Sequence, residues 1–181
     1  MMGSAASGYA READDWYVEP SWVVAKLFAV EPFEGLIYDP ACGGGTIPKA
    51  ATAAGYEAYG SDRVDRGYGI APRDFMTFNH RVPNIVSNPP YGDQLFPFVQ
   101  KALAVTTRKV AIIARLSFLE SVERASWWPQ TPLRRVWVSA RRVSMPPGRK
   151  PEIKAKGGSV AYAWFVWEHG YTGKGEVEIL V

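Results

Sequence analysis

Residues 88–91 read Asn-Pro-Pro-Tyr, a run with the groups needed to act on an amino nitrogen conjugated to a ring or a carbonyl. Two consecutive prolines fix their own φ angles, and the residue before a proline is pushed to extended backbone, so the carbonyls around Asn88 are rigidly aimed. A conjugated amino nitrogen is a poor nucleophile because its lone pair is delocalised. If the Asn88 side-chain oxygen and the Pro89 carbonyl both accept its protons, the nitrogen is drawn toward tetrahedral geometry. Its lone pair is then exposed for direct in-line attack on a bound electrophile. Such a step needs orientation and electrostatic stabilisation and no covalent protein nucleophile. Pro90 stiffens the turn, and Tyr91 offers a flat face on which an extruded base could stack. The plainer reading of the same four residues is a proline-rich turn after a strand, carrying a half-buried tyrosine.

A second run suits a bound adenosine. Asp39-Pro40-Ala41-Cys42-Gly43-Gly44-Gly45 follows a short apolar stretch, and glycines in such a turn let backbone approach a ligand closely. Asp62 lies about 20 residues beyond that first strand, where an acidic side chain commonly bonds ribose hydroxyls. An ordinary strand-turn-helix corner would look the same. A dinucleotide fingerprint is incomplete, because its third glycine position is Pro48. The carboxylate of Asp39 suits a ligand's ammonium, while backbone N–H groups at a helix start suit a carboxylate. The amino-acid end of S-adenosylmethionine carries both charges. Asp74 could accept from an adenine amino group and Phe75 could cover its ring; a solvated Asp beside a core Phe is the alternative.

Positioning these groups requires strands that end together. Residues 36–38 read as a strand entering the glycine turn, with a helix following from Thr46 as N-cap to a stop at Gly55. Residues 57–62 and 84–87 read as further strands, the second running into Asn88. Residues 95–105 have helical spacing, 109–116 form an apolar run suited to a doubly covered strand, and 120–127 suit a helix. Strands are expected over 134–143 and 160–168, separated by a Pro-, Gly- and Lys-rich loop over 144–159. This alternation predicts an α/β fold with a mostly parallel sheet.

At 181 residues the chain is sized for one domain, expected over 13–181 behind a flexible segment 1–12. It shows no signal-peptide pattern and no transmembrane run, so a cytoplasmic location without membrane association is expected. Cys42, His80 and His169 are too few soft ligands for a zinc site, so no metal is expected. The first 107 residues carry 8 Lys/Arg against 12 Asp/Glu, and the remainder carry 13 against 6. A basic second half is compatible with a polyanionic partner. Arg149, Lys150, Lys154 and Lys156 in the loop are candidates for binding phosphates, or for a solvated surface.

Taken together, the chain resembles the amino-directed S-adenosylmethionine-dependent DNA methyltransferases, above all the small phage-type N6-adenine enzymes, over nearly its whole length. The glycine turn looks like their cofactor motif and Asn88-Pro89-Pro90-Tyr91 like their catalytic motif. Residues 115–121 with Arg124, and 161–167, are similar to further segments. Tyr17-Val18-Glu19-Pro20 stands where the family has an aromatic residue followed by Thr-Pro, which makes Tyr17 and Pro20 candidate cofactor contacts and leaves Glu19 in place of the threonine. The resemblance implies a Rossmann-like, seven-stranded, mostly parallel sheet ending in an antiparallel hairpin. It implies methyl transfer to the N6 of adenine in DNA, and a chain with no room for a separate target-recognition domain. Enzymes modifying RNA bases or protein glutamine share the motif, and a catalytically silent cofactor-binding, DNA-associated protein is the other alternative.

Overall fold

The computed structural model describes residues 16–148 and 160–181. Helix α1 (Ser21–Val30) precedes strand β1 (Ile37–Asp39), helix α2 (Thr46–Ala53), strand β2 (Ala58–Gly60) and strand β3 (Val82–Ser87). Helix α3 (Leu95–Val105), strand β4 (Thr106–Arg115), the single turn α4 (Val122–Ala125) and strands β5 (Leu133–Ser139), β6 (Tyr162–Glu168) and β7 (Glu176–Leu180) follow. The seven strands form one sheet in the order β2-β1-β3-β4-β6-β5-β7. Strands β2, β1, β3 and β4 run parallel, and β6 lies antiparallel between β4 and β5. The expected α/β architecture and antiparallel pair are therefore present. The expected count of seven strands is met by β7, a segment not assigned from the sequence, which pairs parallel with β5 at the sheet edge.

Alternation along the central strands explains why the sheet is buried on both faces. Val110, Ile112 and Ala114 of β4 join Phe165 and Trp167 of β6 on the face covered by α3. Ala111 and Ile113 join Trp164 and Val166 on the face covered by α1 and α2. Strands so enclosed must be apolar on both sides, as this period-two pattern requires. Helix α3 has the bounds expected from its spacing and buries Leu95, Phe98, Val99, Ala102 and Val105.

Three local differences from expectation have physical causes. Helix α1 is additional; Val23, Val24, Leu27 and Phe28 make its buried stripe. Thr46 is not the N-cap of α2: Gly45, at φ 84°, takes that place and Thr46 opens the helix. The helix expected over 120–127 shrinks to α4, where Ser121 Oγ accepts from Arg124 N; Pro129, which lacks an N–H, lies in the separate turn Trp128–Gln130. Trp127 and Trp128 of this stretch pack together against Phe96, Phe165 and Trp167.

At the sheet edge opposite the glycine turn, Glu31 lies buried and accepts from Lys109 Nζ at 2.6 Å, Arg135 at 3.0 Å and Trp137 Nε1 at 3.0 Å. Burial pushes its carboxyl up, but these donors outweigh burial and hold it below the usual range. One carboxylate thus joins α1 to β4 and β5.

Candidate functional site

Because β1, β2 and β3 are parallel, their carboxyl ends open on one edge, and each leads into a functional segment. Strand β1 ends at Asp39, β2 leads into Ser61 and Asp62, and β3 leads into Asn88. A cleft of about 280 Å3 lies there. Of the residues singled out from sequence, it is lined by Tyr17, Pro40, Ala41, Cys42, Gly43, Thr46, Asp62, Asp74, Phe75, Asn88 and Pro90.

The glycine turn is held by hydrogen bonds from its own surroundings. Gly43 N donates to Asp62 Oδ2 at 2.9 Å, and Val64 N donates to Asp62 Oδ1 at 2.9 Å. Asp62 therefore ties the turn after β1 to the loop after β2. Gly43 and Gly45 have φ of 51° and 84°, a region that favours glycine. A Cβ on Gly43 would lie 2.7 Å from Trp16 Nε1, and one on Gly45 would lie 2.5 Å from the Tyr68 ring. The turn thus packs against aromatic side chains as well as facing the cleft.

Asp39 stands behind the cleft wall. Its Oδ1 accepts from Ser87 Oγ at 2.7 Å and from Ala41 N at 3.1 Å, and the residue is 2% exposed. Burial raises its carboxyl well above the usual range, and the Glu19 charge raises it further. Its place is to join β1 to β3 beneath the site. Gly45, Pro20 and the buried Pro89 also lie outside the lining. Cys42 is no thiolate nucleophile: burial, then the Asp39 charge, push its thiol up to about 12.

Asn88 is held in one orientation. Its Nδ2 donates to Tyr17 O at 2.9 Å and to Glu19 Oε2 at 2.8 Å, so Oδ1 is the acceptor end. Tyr91 Oη donates to that oxygen at 2.7 Å, and the Tyr91 ring lies 6.2 Å from Tyr162. Tyr91 is not among the cleft-lining residues; its hydroxyl is turned onto Asn88. Asp74 also lines the cleft and caps a short turn by accepting from Met76 N, while Phe75 packs on Phe98 at 4.6 Å.

Sequence reasoning missed several lining residues. Trp16 and Arg66 meet at the cleft, the guanidinium 4.2 Å from the indole centroid and 3.8 Å from Asp62 Oδ1. Arg63 and Arg73 are also in the wall. Glu19 is 7% exposed and lines the cleft between Asn88 and Thr46. Desolvation pushes its carboxyl up to about 7, against hydrogen bonds from its own backbone, Asn88 and Thr46 that pull it down. Arg149, Lys150, Lys154 and Lys156 lie outside the described residues. The residues just before them do not: Gly148 N donates to Trp16 O and Val18 N to Pro146 O, both at 3.0 Å. The root of the basic segment is thereby placed against the cleft wall.

No protein-family model and no curated protein matches the chain. Solved structures do. A Pyrococcus horikoshii protein named for RNA methyltransferase activity superposes with a TM-score of 0.59 at 18% identity, covering 81% of this chain and 79% of that one. Magnesium protoporphyrin IX methyltransferase from Synechocystis, with bound S-adenosylmethionine, gives a TM-score of 0.54 at 14% identity, with coverages of 81% and 76%. The fold is that of the S-adenosylmethionine-dependent methyltransferases. A methyltransferase subunit of a Streptococcus thermophilus type I restriction-modification system shares this methyltransferase fold, with a TM-score of 0.56 at 11% identity. The match covers 84% of this chain but 43% of that subunit, so the chain spans less than half of its length. Among the described residues no cluster of metal ligands occurs, and no helix is long and apolar enough to cross a membrane.

Proposed function

We propose that this protein binds S-adenosylmethionine in the cleft and transfers its methyl group to an amino nitrogen, N6 of adenine in DNA. The observation that carries the reading is the pinned Asn88 amide, whose Oδ1 is presented at the end of β3 beside a rigid Pro-Pro backbone. The cofactor's ribose belongs near Asp62, its adenine near Asp74 and Phe75, and its cationic end near Glu19. Tyr17, Thr46 and the residues 40–43 complete its surroundings, with Asp39, Gly45 and Pro20 supporting them from behind.

In the reaction, Asn88 Oδ1 and the Pro89 carbonyl accept the two amino protons while the nitrogen lone pair attacks the methyl carbon. The new C–N bond forms as the C–S bond breaks, and the bonding pair leaves on sulfur as a neutral thioether. The methylated nitrogen then loses one proton to water. Asn88 Oδ1 has a second lone pair for the substrate amino group beside the Tyr91 hydroxyl, and the Tyr91 ring is the proposed stacking surface.

Two features support DNA as substrate: the restriction-modification neighbour, and the basic residues Arg149, Lys150, Lys154 and Lys156 following a segment rooted at the cleft. The Pyrococcus neighbour favours RNA as the second reading. Methylation of unmethylated duplex DNA, of RNA and of a protein extract by purified protein, followed by nucleoside and amino-acid analysis, separates these readings. Formation of N6-methyladenine in DNA is expected; methyl transfer to RNA or glutamine alone overturns the DNA assignment. Asn88→Ala is expected to abolish most turnover while cofactor binding persists, and turnover matching the parent protein removes Asn88 from the chemistry. Replacing the four loop cations with Ala is expected to flatten the slope of log affinity against log salt by roughly 0.9 for each phosphate they neutralise. An unchanged slope and affinity make that loop a solvated surface.

A further inference from the structure

Glu19 departs from the pattern of the family that the sequence resembles, yet it lines the cleft. Its carboxylate receives the Asn88 amide at 2.8 Å, on the side of the amide opposite the oxygen that would meet substrate. An amide has two similar ends, and only its acceptors decide which end points where. Tyr17 O and Glu19 Oε2 are those acceptors, and a flipped Asn88 would set its oxygen against both of them. It would also turn donors toward the incoming amino group, which has two protons of its own. The flipped state is thus penalised twice.

Other carboxyl groups lie around Glu19. From β1 it faces Asp39, from α2 the Thr46 hydroxyl and, beyond them, Asp62; Cys42 feels all three carboxyl charges. Of the arginines in the cleft wall, Arg63, Arg66 and Arg73, Arg66 is engaged with Asp62 and Trp16. Burial favours the protonated Glu19 carboxyl, and a positively charged ligand reverses the balance.

We propose that Glu19 is a positioning residue that fixes the orientation of the Asn88 amide and gives up a proton as the cationic cofactor enters the cleft. This rests on the reading of the cleft as an S-adenosylmethionine site. Charge on Glu19 is then present when the sulfonium is present, and the amide is held most firmly in the complex that reacts. The near-neutral titration of the free carboxyl, at about 7, sets the pH range in which the release is measurable.

The test is calorimetric titration of the purified protein with S-adenosylmethionine at pH 6, 7 and 8, in buffers that differ in ionisation enthalpy. Net release of about half a proton is expected at pH 7, with affinity rising about tenfold from pH 6 to pH 8. Glu19→Gln keeps an acceptor for Asn88 and loses the titration, so its binding is expected to release no proton and to be flat in pH. In methylation assays Glu19→Ala, which removes the acceptor as well, is expected to lose at least tenfold more kcat than Glu19→Gln. A parent protein that binds the cofactor without proton release overturns the inference and leaves the methyltransferase reading standing. So does a release that survives Glu19→Gln, which assigns the proton to Asp39, or an equal kcat in the two variants. A parent protein that does not bind S-adenosylmethionine overturns the methyltransferase reading, and this inference falls with it.

Discussion

Replacing Glu19 with Gln in the ligand-free protein is expected to raise stability by an amount that grows with pH. The native carboxyl holds its proton up to about 7, whereas the ordinary value for glutamate is 4.5. Between these values the native state keeps a proton that the unfolded chain has released, so stability falls as pH rises through the window. At about 1.36 kcal/mol per pH unit, the gap amounts to about 3 kcal/mol, fully developed above pH 7 and absent below pH 4.5. Gln has nearly the same shape, still accepts from Asn88 and never ionises. The parent protein and the variant should therefore diverge by about 3 kcal/mol on going from pH 4.5 to pH 8. With a urea dependence near 2 kcal/mol per M, that is about 1.5 M in the unfolding midpoint. Asp39 titrates in both proteins and drops out of the comparison to first order. Equilibrium urea unfolding at several pH values reads the divergence directly. A midpoint difference that stays constant from pH 5 to pH 8 would refute the claim that Glu19 is buried at the expense of stability.

Asp62→Ala is expected to weaken S-adenosylmethionine binding by about 1–3 kcal/mol, the scale for bonds to a charged group, and calorimetry on the folded variant checks it. Unchanged affinity would confine Asp62 to holding Gly43 and Val64 in place. Glu31→Ala removes the buried partner of Lys109 and Arg135, which keep Glu168 at 3.8 Å and Glu176 at 3.1 Å respectively, and is expected to destabilise the fold by about 1–3 kcal/mol, read by urea unfolding. A loss below about 1 kcal/mol, as for an exposed pair, would show that water reaches that site.

Local periodicity made much of this fold legible. Helix α3 carries its apolar residues on one face, β4 is a continuous apolar run, and the Asn88 and glycine segments follow short strands that end at the same edge. Those features are written within a few residues of one another. Strand β7 was not legible although Glu176-Val177-Glu178-Ile179 alternates polar and apolar residues; the run is short, and in the structure only Leu180 of the strand is buried. Its pairing is decided by β5, far away in sequence. Helix α1 carries a readable stripe in Val23, Val24, Leu27 and Phe28, but two adjacent valines are as natural in a strand. Glu19 was hidden for a different reason. Its burial, and its bond to a residue 69 positions away, are products of the assembled cleft.

The strand order has a consequence for how the protein can change. Strands β5 and β6 are joined by residues 140–161, yet the register on both sides of that connection is fixed: Val138 pairs with Ala163, and Tyr162 with Arg115. Nothing in the pairing depends on how many residues lie between Ser139 and Tyr162. Closure entropy varies only logarithmically with length, so doubling such a connection costs about 0.6 kcal/mol. The segment that leaves the cleft rim after Gly148 can therefore be lengthened, shortened or recharged without retuning the sheet. A lineage built on this sheet could change what borders the cleft by insertion at one place, with the sheet and the cleft inherited intact.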